Sequence, residues 1–401
     1  MLKLAAIFNS HLKLFLDGRK DVFDIIEKNI KPNDRTIWFH AASMGEFEQG
    51  LPVIEKVKTA LPDCKILVTF FSPSGYEIRK NHPVPDVITY LPLDTMQNAR
   101  RFVTLVNPVL TVFIKYEFWP NYLSELKRNE VPVITIASIF RKNQIFFKSY
   151  GGFMRKALKK IDMFFVQDEN SVSLLNSIGI SNTLLSGDTR FDRVSSILER
   201  DNSLDFIEKF KQNQLCLVAG STWPEDDDAL VSYINKTDTN TKFIIAPHAI
   251  KAEKIQRLKS HLQKETVLYS EMNTEILADT RVFIIDTIGI LTKIYSYADI
   301  AYVGGGLGKT GLHNTLEPAV FGIPVIIGPN FDKFKEACDL VALGGIIPIK
   351  NADQFAKAVN EFVEKPEKRK EIGEINEKFI KKNKGATQQV LGFICNLIEK
   401  K

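Results

Sequence analysis

The feature that most constrains this chain is an alternation kept up over nearly its whole length. Short, β-branched apolar runs are separated by segments with helical spacing. The runs stand at residues 36–41, 65–70, 87–90, 110–115, 133–137, 163–166 and 183–185, and again at 215–219, 242–246, 282–285, 300–303, 324–327 and 345–348. Strands separated by helices imply parallel sheets with right-handed crossovers and helices on both faces, an α/β class. At 401 residues the chain is too long for one ordinary core, and two α/β domains of about 150–200 residues each follow. The polar stretch 190–213 lies between the two series of strands and reads as the linker, which divides the chain into domains at 1–194 and 195–385. The segment 386–401 is apolar at Val390, Leu391, Phe393, Ile394 and Leu397. It needs a surface to cover and is expected to cross back to the first domain. Doubly wound sheets bind ligands outside the carboxyl ends of their strands, so the residues just after each strand carry most of the functional information.

Composition excludes several classes. Hydrophobic content of 44% and charged content of 25% are ordinary for a globular protein. A net charge of +5 suits anionic ligands or an anionic membrane surface without marking a nucleic-acid binder. Cys64, Cys216, Cys338 and Cys395 lie far apart, and the six histidines form no HExxH arrangement, so no metal centre is expected and the cysteines read as reduced thiols. No stretch of about 18 uninterrupted apolar residues is present to span a membrane. The opening segment MLKLAAIFNSHLKLFLDG is either an amphipathic surface helix or one that lies on a membrane.

Five motifs follow strands. HAASMGEFEQG, residues 40–50, contains Ser43-x-x-Glu46, the pattern of a helix capping box. The same Glu46, beside Gly45, stands where a general base would be placed. KYEFWPN, residues 115–121, puts Glu117 after an apolar strand, either as a site carboxylate or as an ion-pair partner of Lys115 or of a domain-closing arginine. SGDTRFD, residues 186–192, offers Arg190 to an anion or to Asp188 or Asp192. AGSTWPEDD, residues 219–227, reads as a strand, a turn at Gly220-Ser221 that faces phosphate, and a helix opening at Pro224. VGGGLGKTGLHNTLEPAVFGIPVIIGP, residues 303–329, reads as a glycine-rich loop followed by a helix that begins near Asn314 with Glu317 in its first turn. The segment 138–161 carries Arg141, Lys142, Lys148, Arg155, Lys156, Lys159 and Lys160 with no acidic residue, interleaved with Phe140, Phe146, Phe147, Tyr150 and Phe153. It reads as a solvated basic face or, preferably, as a membrane-facing patch.

Taken in order, HAASMGE, KYEFWPN, SGDTRF, AGSTWPEDD, DTIGIL, VGGGL and GLHNTLEPA, spread over about residues 35–335, resemble the Kdo transferases of lipopolysaccharide synthesis. These enzymes move the acidic sugar Kdo from CMP-Kdo to a lipid A precursor. The resemblance implies a GT-B fold, with two Rossmann-like domains whose parallel sheets face a central cleft. It implies an N-terminal domain that binds acceptor and membrane, and a second domain that binds the CMP-sugar. It implies inversion at the anomeric centre, no metal and no other cofactor, no nucleic-acid partner, and a position on the cytoplasmic face of the bacterial inner membrane. It also implies an N-terminal anchor that is missing or incomplete in this chain. By similarity Glu46 matches the catalytic base, and Glu117 and Arg190 match residues that support the transition state. Ser221, His248, Ile288, Gly289, Ile290, Asn314, Thr315, Leu316 and Glu317 match CMP-contacting positions. The chain departs from the family pattern with Arg190 in place of lysine, Ile290 in place of glutamate, and His248 near an expected arginine. The competing readings are another GT-B enzyme acting on a UDP-sugar, as transferase or epimerase, and a non-catalytic membrane-peripheral module that binds a sugar nucleotide.

Overall fold

A computed structural model describes residues 10–399, so most of the opening amphipathic segment lies outside the described residues. Within it, Ser10–Asp17 is helical. The chain divides into two compact units. One holds the residues up to Arg193 together with those from Lys384 onward, and the other is Val194–Asn383.

The first unit contains β1 (Arg35–Ala41), β2 (Cys64–Phe70), β3 (Val87–Tyr90), β4 (Pro108–Ile114), β5 (Val133–Ser138), β6 (Met163–Val166) and β7 (Thr183–Leu185). They form one parallel sheet in the order β3-β2-β1-β4-β5-β6-β7. The second contains β8 (Cys216–Thr222), β9 (Lys242–Pro247), β10 (Thr266–Leu268), β11 (Val282–Ile284), β12 (Ile300–Val303), β13 (Val325–Ile327) and β14 (Ile346–Pro348). Their order is β10-β11-β9-β8-β12-β13-β14, again parallel. Helices cover both faces of a parallel sheet, so its strands read as continuous apolar runs. Ile37, Trp38 and Phe39 in β1, and Leu217, Val218 and Ala219 in β8, are wholly buried on both sides of their strands.

In each sheet the strand order reverses next to the first strand, between β1 and β4 in one unit and between β8 and β12 in the other. A crevice opens outside the carboxyl ends of strands at such a switch point. HAASMGE and KYEFWPN follow β1 and β4, while STWPEDD and the glycine-rich loop follow β8 and β12. Four of the five motifs therefore flank the two switch points.

Three local expectations are corrected. The strand Thr266–Leu268 pairs with β11 at the sheet edge and was not among the runs read from the sequence. Residues 190–213, which contain the boundary between the units at Arg193/Val194, are structured: they include the helices Thr189–Ser195 and Asp205–Lys211 with a 3-10 turn at Ser196–Glu199. Ile197, Ile207 and Phe210 drive this by being buried among otherwise polar neighbours. Finally, β8 runs through Ser221 to Thr222 with a register shift there, so Gly220-Ser221 is a bulged strand end rather than a turn.

The helix Ala386–Glu399 packs on the Met44–Ala60 helix of the first unit. Val390, Ile394 and Ile398 are buried in that unit's core, and each such side chain contributes about 1.5–3 kcal/mol. Asp192 holds the start of this helix, accepting from the Gly385 and Thr387 N–H groups at 2.6 and 2.7 Å.

Candidate active site

In the first unit the site is built around the opening of the Met44–Ala60 helix. Ser43 is its N-cap, with Oγ accepting from the Glu46 N–H. The Glu46 carboxylate does not close a reciprocal capping box on Ser43; Oε2 accepts from the Ala42 N–H at 2.5 Å. That bond draws the carboxylate over the end of β1, where it is 6% exposed. Burial pushes its pKa up to about 7, against the pull of the Ala42 N–H, and the nearby Glu117 carboxylate adds to the rise. Nothing lies within 4 Å of the place a Cβ would take on Gly45, so the space beside Gly45 itself is open. Gly75 has the opposite role: a Cβ there would meet the Met44 nitrogen at 2.8 Å, so only glycine lets the Pro73–Arg79 helix approach the Glu46 turn.

Glu117 is half-buried just past β4, and burial raises its pKa. Of the alternatives for Glu117, no ion pair to Lys115 is seen among the described residues. Lys115 instead takes a left-handed backbone, φ 66°, and its carbonyl accepts from Ser138 Oγ at 2.6 Å. Left-handed backbone in a non-glycine residue is held only by its surroundings and concentrates at functional sites. Burial lowers the Lys115 pKa, and Glu46 counters part of that fall. Lys115 therefore lies in the field of the Glu46 carboxylate, a site cation that the sequence reading had set only against Glu117. Arg190 opens the Thr189–Ser195 helix and pairs with Asp188 at 2.7 Å. Thr189 Oγ1 donates to the Gln49 carbonyl at 2.5 Å, and Arg193 pairs with Glu48. Both tie the Arg190 turn to the Glu46 helix. Glu46, Lys115, Glu117, Asp188 and Arg190 are thus one electrostatic group.

The basic segment divides into two kinds of residue. Phe140 and Phe146 are core, packed with Phe118 and Phe164, and so are not available to a membrane. Arg155 donates to the Phe146 and Lys148 carbonyls, and Lys160 donates to Ser124 Oγ. What remains on the surface is Arg141, Lys142, Lys156 and Lys159, with Tyr150 and Phe153 at 75% and 71% exposure; Lys148 is half-buried.

In the second unit the switch point is organised by a residue that the sequence reading did not mark. Asp226, fully buried, accepts from the Trp223 N–H at 2.9 Å, the Gly305 N–H at 2.8 Å and the Tyr302 hydroxyl at 2.5 Å. It joins the end of β8, β12 and the glycine-rich loop. A Cβ on Gly304 would meet the Ser221 carbonyl oxygen at 2.5 Å, so that approach requires glycine. Ser221 itself is left-handed, φ 56°. Trp223 stacks on His248 with centroids 4.8 Å apart and donates Nε1–H to His313 Nε2 at 2.9 Å. A pocket beside Trp223 is lined also by Asp227, Lys254 and Arg257, two cations that no sequence motif had singled out.

The expected helix from Asn314 is a single turn, Leu316–Ala319. Asn314 Oδ1 accepts from the Leu316 N–H at 3.1 Å, so one N–H at the start of this turn is already taken. Thr315 and Leu316 are buried, 1% and 0% exposed. Glu317 accepts from Asn314 Nδ2 at 3.0 Å and faces Thr292 Oγ1 at 3.5 Å, which brings the loop Ile288-Gly289-Ile290 toward it. Ile288 is 86% exposed. Gly289 has φ 96° with nothing near its Cβ position. Among the described residues no three His, Cys, Asp or Glu side chains are grouped so as to hold a metal ion, and no helix is long and apolar enough to cross a membrane.

The fold superposes on solved chains. UDP-GlcNAc 2-epimerase from Neisseria meningitidis matches with a TM-score of 0.61 at 15% identity, over 91% of this chain and 100% of that one. MurG from Acinetobacter baumannii matches with a TM-score of 0.57 at 11% identity, over 90% and 99%. These likenesses, with two doubly wound units whose polar motifs lie at their switch points, define a GT-B fold. A family model described as 3-deoxy-D-manno-octulosonic-acid transferase (kdotransferase) matches residues 18–193. The 3-deoxy-D-manno-octulosonic acid transferase of Haemophilus influenzae is 27% identical over 92% of this chain and 88% of its own length. That of Rickettsia bellii is 27% identical over 94% and 93%. Over most of its length the chain is thus similar to Kdo transferases.

Proposed function

We propose that the chain transfers Kdo from CMP-Kdo to a lipid A precursor, lipid IVA, in lipopolysaccharide biosynthesis, by one inverting displacement without a metal cofactor. The observation that carries this reading is the Glu46 carboxylate, buried at a switch point with its pKa pushed up to about 7 and with Glu117 and Lys115 in its field. An acceptor hydroxyl gives its proton to Glu46 as its oxygen bonds to the anomeric carbon. The bond from that carbon to the phosphate oxygen breaks, and CMP leaves with the electron pair. One base suffices for a single inversion. Glu117 faces the positive charge that develops on the sugar, and Arg190 and Lys115 face anionic groups of the reactants. CMP binding is assigned to the second unit, at Ser221, His248, Gly289 and Glu317, with backbone from Ile288, Ile290 and residues 314–316.

The donor assignment is tested by ligand-induced stabilisation. CMP at about 100 times its Kd should add about 2.7 kcal/mol, a rise of several degrees in Tm, while UDP at the same concentration should add little. A larger rise with UDP would favour a UDP-sugar enzyme instead.

The exposed part of the basic segment is assigned to the cytoplasmic leaflet of the membrane, with Tyr150 and Phe153 in the interface and the cations on phosphate groups. Replacing Lys142, Lys156 and Lys159 together by glutamine should weaken binding to anionic vesicles, at about 1 kcal/mol per charge, and the loss should shrink as salt rises. Unaltered binding at low salt would make this segment a solvated face.

A further inference from the structure

Between the two carboxylate-bearing motifs of the first unit runs a buried chain of hydrogen bonds that the proposed chemistry does not use. Trp119, two residues past Glu117, donates its indole N–H to His40 Nε2 at 3.0 Å. An indole N–H can only donate, so Nε2 is an acceptor and the imidazole proton sits on Nδ1. Nδ1–H then donates to Thr69 Oγ1 at 2.8 Å. Trp38 donates to the same oxygen at 2.8 Å, and the Thr69 hydroxyl gives its own proton to the Phe39 carbonyl. Trp38, His40 and Thr69 are all 0% exposed. Every proton in the chain is therefore assigned, and none of its members is free to turn. Burial holds the His40 imidazole down at about 3. A second proton on Nε2 would face the indole N–H, so the ring stays neutral.

Core packing alone does not call for this arrangement. Apolar side chains of the same shape fill such a space at similar stability, but only directional bonds fix how the indole is turned. The turn concerned also needs holding. Lys115 is strained at φ 66°, and its carbonyl is tied to Ser138 Oγ. Trp119 is tied to β1 through His40 and packs on Phe71, the two rings tilted by 35° with centroids 4.8 Å apart. Glu117 lies midway between these two fixed points. The second unit repeats the device: Trp223, also followed by a proline that opens a helix, donates to Nε2 of His313, whose imidazole burial holds at about 4.

We propose that His40 and Trp119 are positioning residues, a latch that fixes the turn from Lys115 to Trp119 so that Glu117 stands at the β1/β4 switch point beside Glu46. The inference rests on the role given to Glu117 above.

Trp119→Phe keeps a ring on Phe71 and deletes only the indole N–H. It should lower kcat for Kdo transfer about tenfold, the scale of a small misplacement of a reacting group, with KM and the CMP-induced Tm rise unchanged. In a Glu117→Gln background it should have no further effect on kcat. The protein has three tryptophans, so the 15N indole spectrum reports folding: one signal should vanish while the Trp38 and Trp223 signals remain. Equal losses in both backgrounds, or wild-type kcat in the folded Trp119→Phe variant, would overturn the latch. Wild-type kcat in Glu117→Gln alone would instead remove Glu117 from the mechanism, and with it the object that the latch is proposed to position.

Discussion

Glu46→Gln is expected to slow Kdo transfer by about 10²–10⁴, the usual contribution of a general base, while leaving the protein folded and CMP binding intact. The fold should not register the change. Ser43 caps the helix through the Glu46 backbone N–H, and a glutamine oxygen can take the Ala42 N–H that Oε2 accepts now. Stability should even move the other way at higher pH. Burial raises the Glu46 pKa to about 7 in the folded chain, above about 4.3 for an unfolded glutamate. Between those values the folded protein holds the proton more tightly than the unfolded chain, so the wild type loses stability as pH rises through that window. The glutamine variant lacks that loss. Activity has the opposite sign, because the base must be ionised: transfer by the wild type should rise with pH to a plateau above about 7, and the variant's residual rate should lack this limb. A folded variant with near-normal initial rates would leave Glu117 as the next carboxylate to consider.

Asp226→Ala should be the most damaging single change to stability in the second unit. The carboxylate accepts from two backbone N–H groups and the Tyr302 hydroxyl while fully buried. Deleting it strands three donors away from water, each at about 1–3 kcal/mol, and a total of about 3–5 kcal/mol is expected after partial relaxation. At about 2–4 °C per kcal/mol for a domain of this size, Tm should fall by about 10 °C. Asp226→Asn keeps an acceptor and should lose less. Because Gly305 is one of the released donors, the glycine-rich loop should also loosen, and the CMP-induced Tm rise should shrink in the alanine variant. Urea denaturation showing a loss below about 1 kcal/mol would mean that the three donors find other partners.

Much of this was legible in the chain, and what was not has physical reasons. The alternation of apolar runs with helical segments identified thirteen of the fourteen strands among the described residues. The exception, Thr266–Leu268, is a three-residue edge strand, too short for periodicity to mark. The capping pattern at Ser43 and Glu46 was readable because caps are local. Which N–H the carboxylate would take was not, because that depends on how β1 ends. Ser221 read as a turn residue because Gly-Ser pairs favour turns, and pairing with β9 and β12 overrode the local preference. Asp226 lies 79 positions from Gly305, and Trp119 lies 79 from His40. No spacing rule reaches that far, and only the parallel topology brings strand ends of such separation together. The basic run at 138–161 shows the converse: composition counted Phe140, Phe146, Arg155 and Lys160 toward a surface patch, and packing withdrew them from it.

The most direct measurement is mass spectrometry of the lipid product formed from CMP-Kdo and lipid IVA, with wild type and Glu46→Gln run side by side. The wild type should convert the acceptor to a species heavier by one or more Kdo residues and release CMP, with the same yield when EDTA is present. The glutamine variant should leave the acceptor essentially unmodified over the same interval. An acceptor of unchanged mass with folded, CMP-binding wild-type protein would contradict the assignment of this chain as a transferase of Kdo to lipid A precursor.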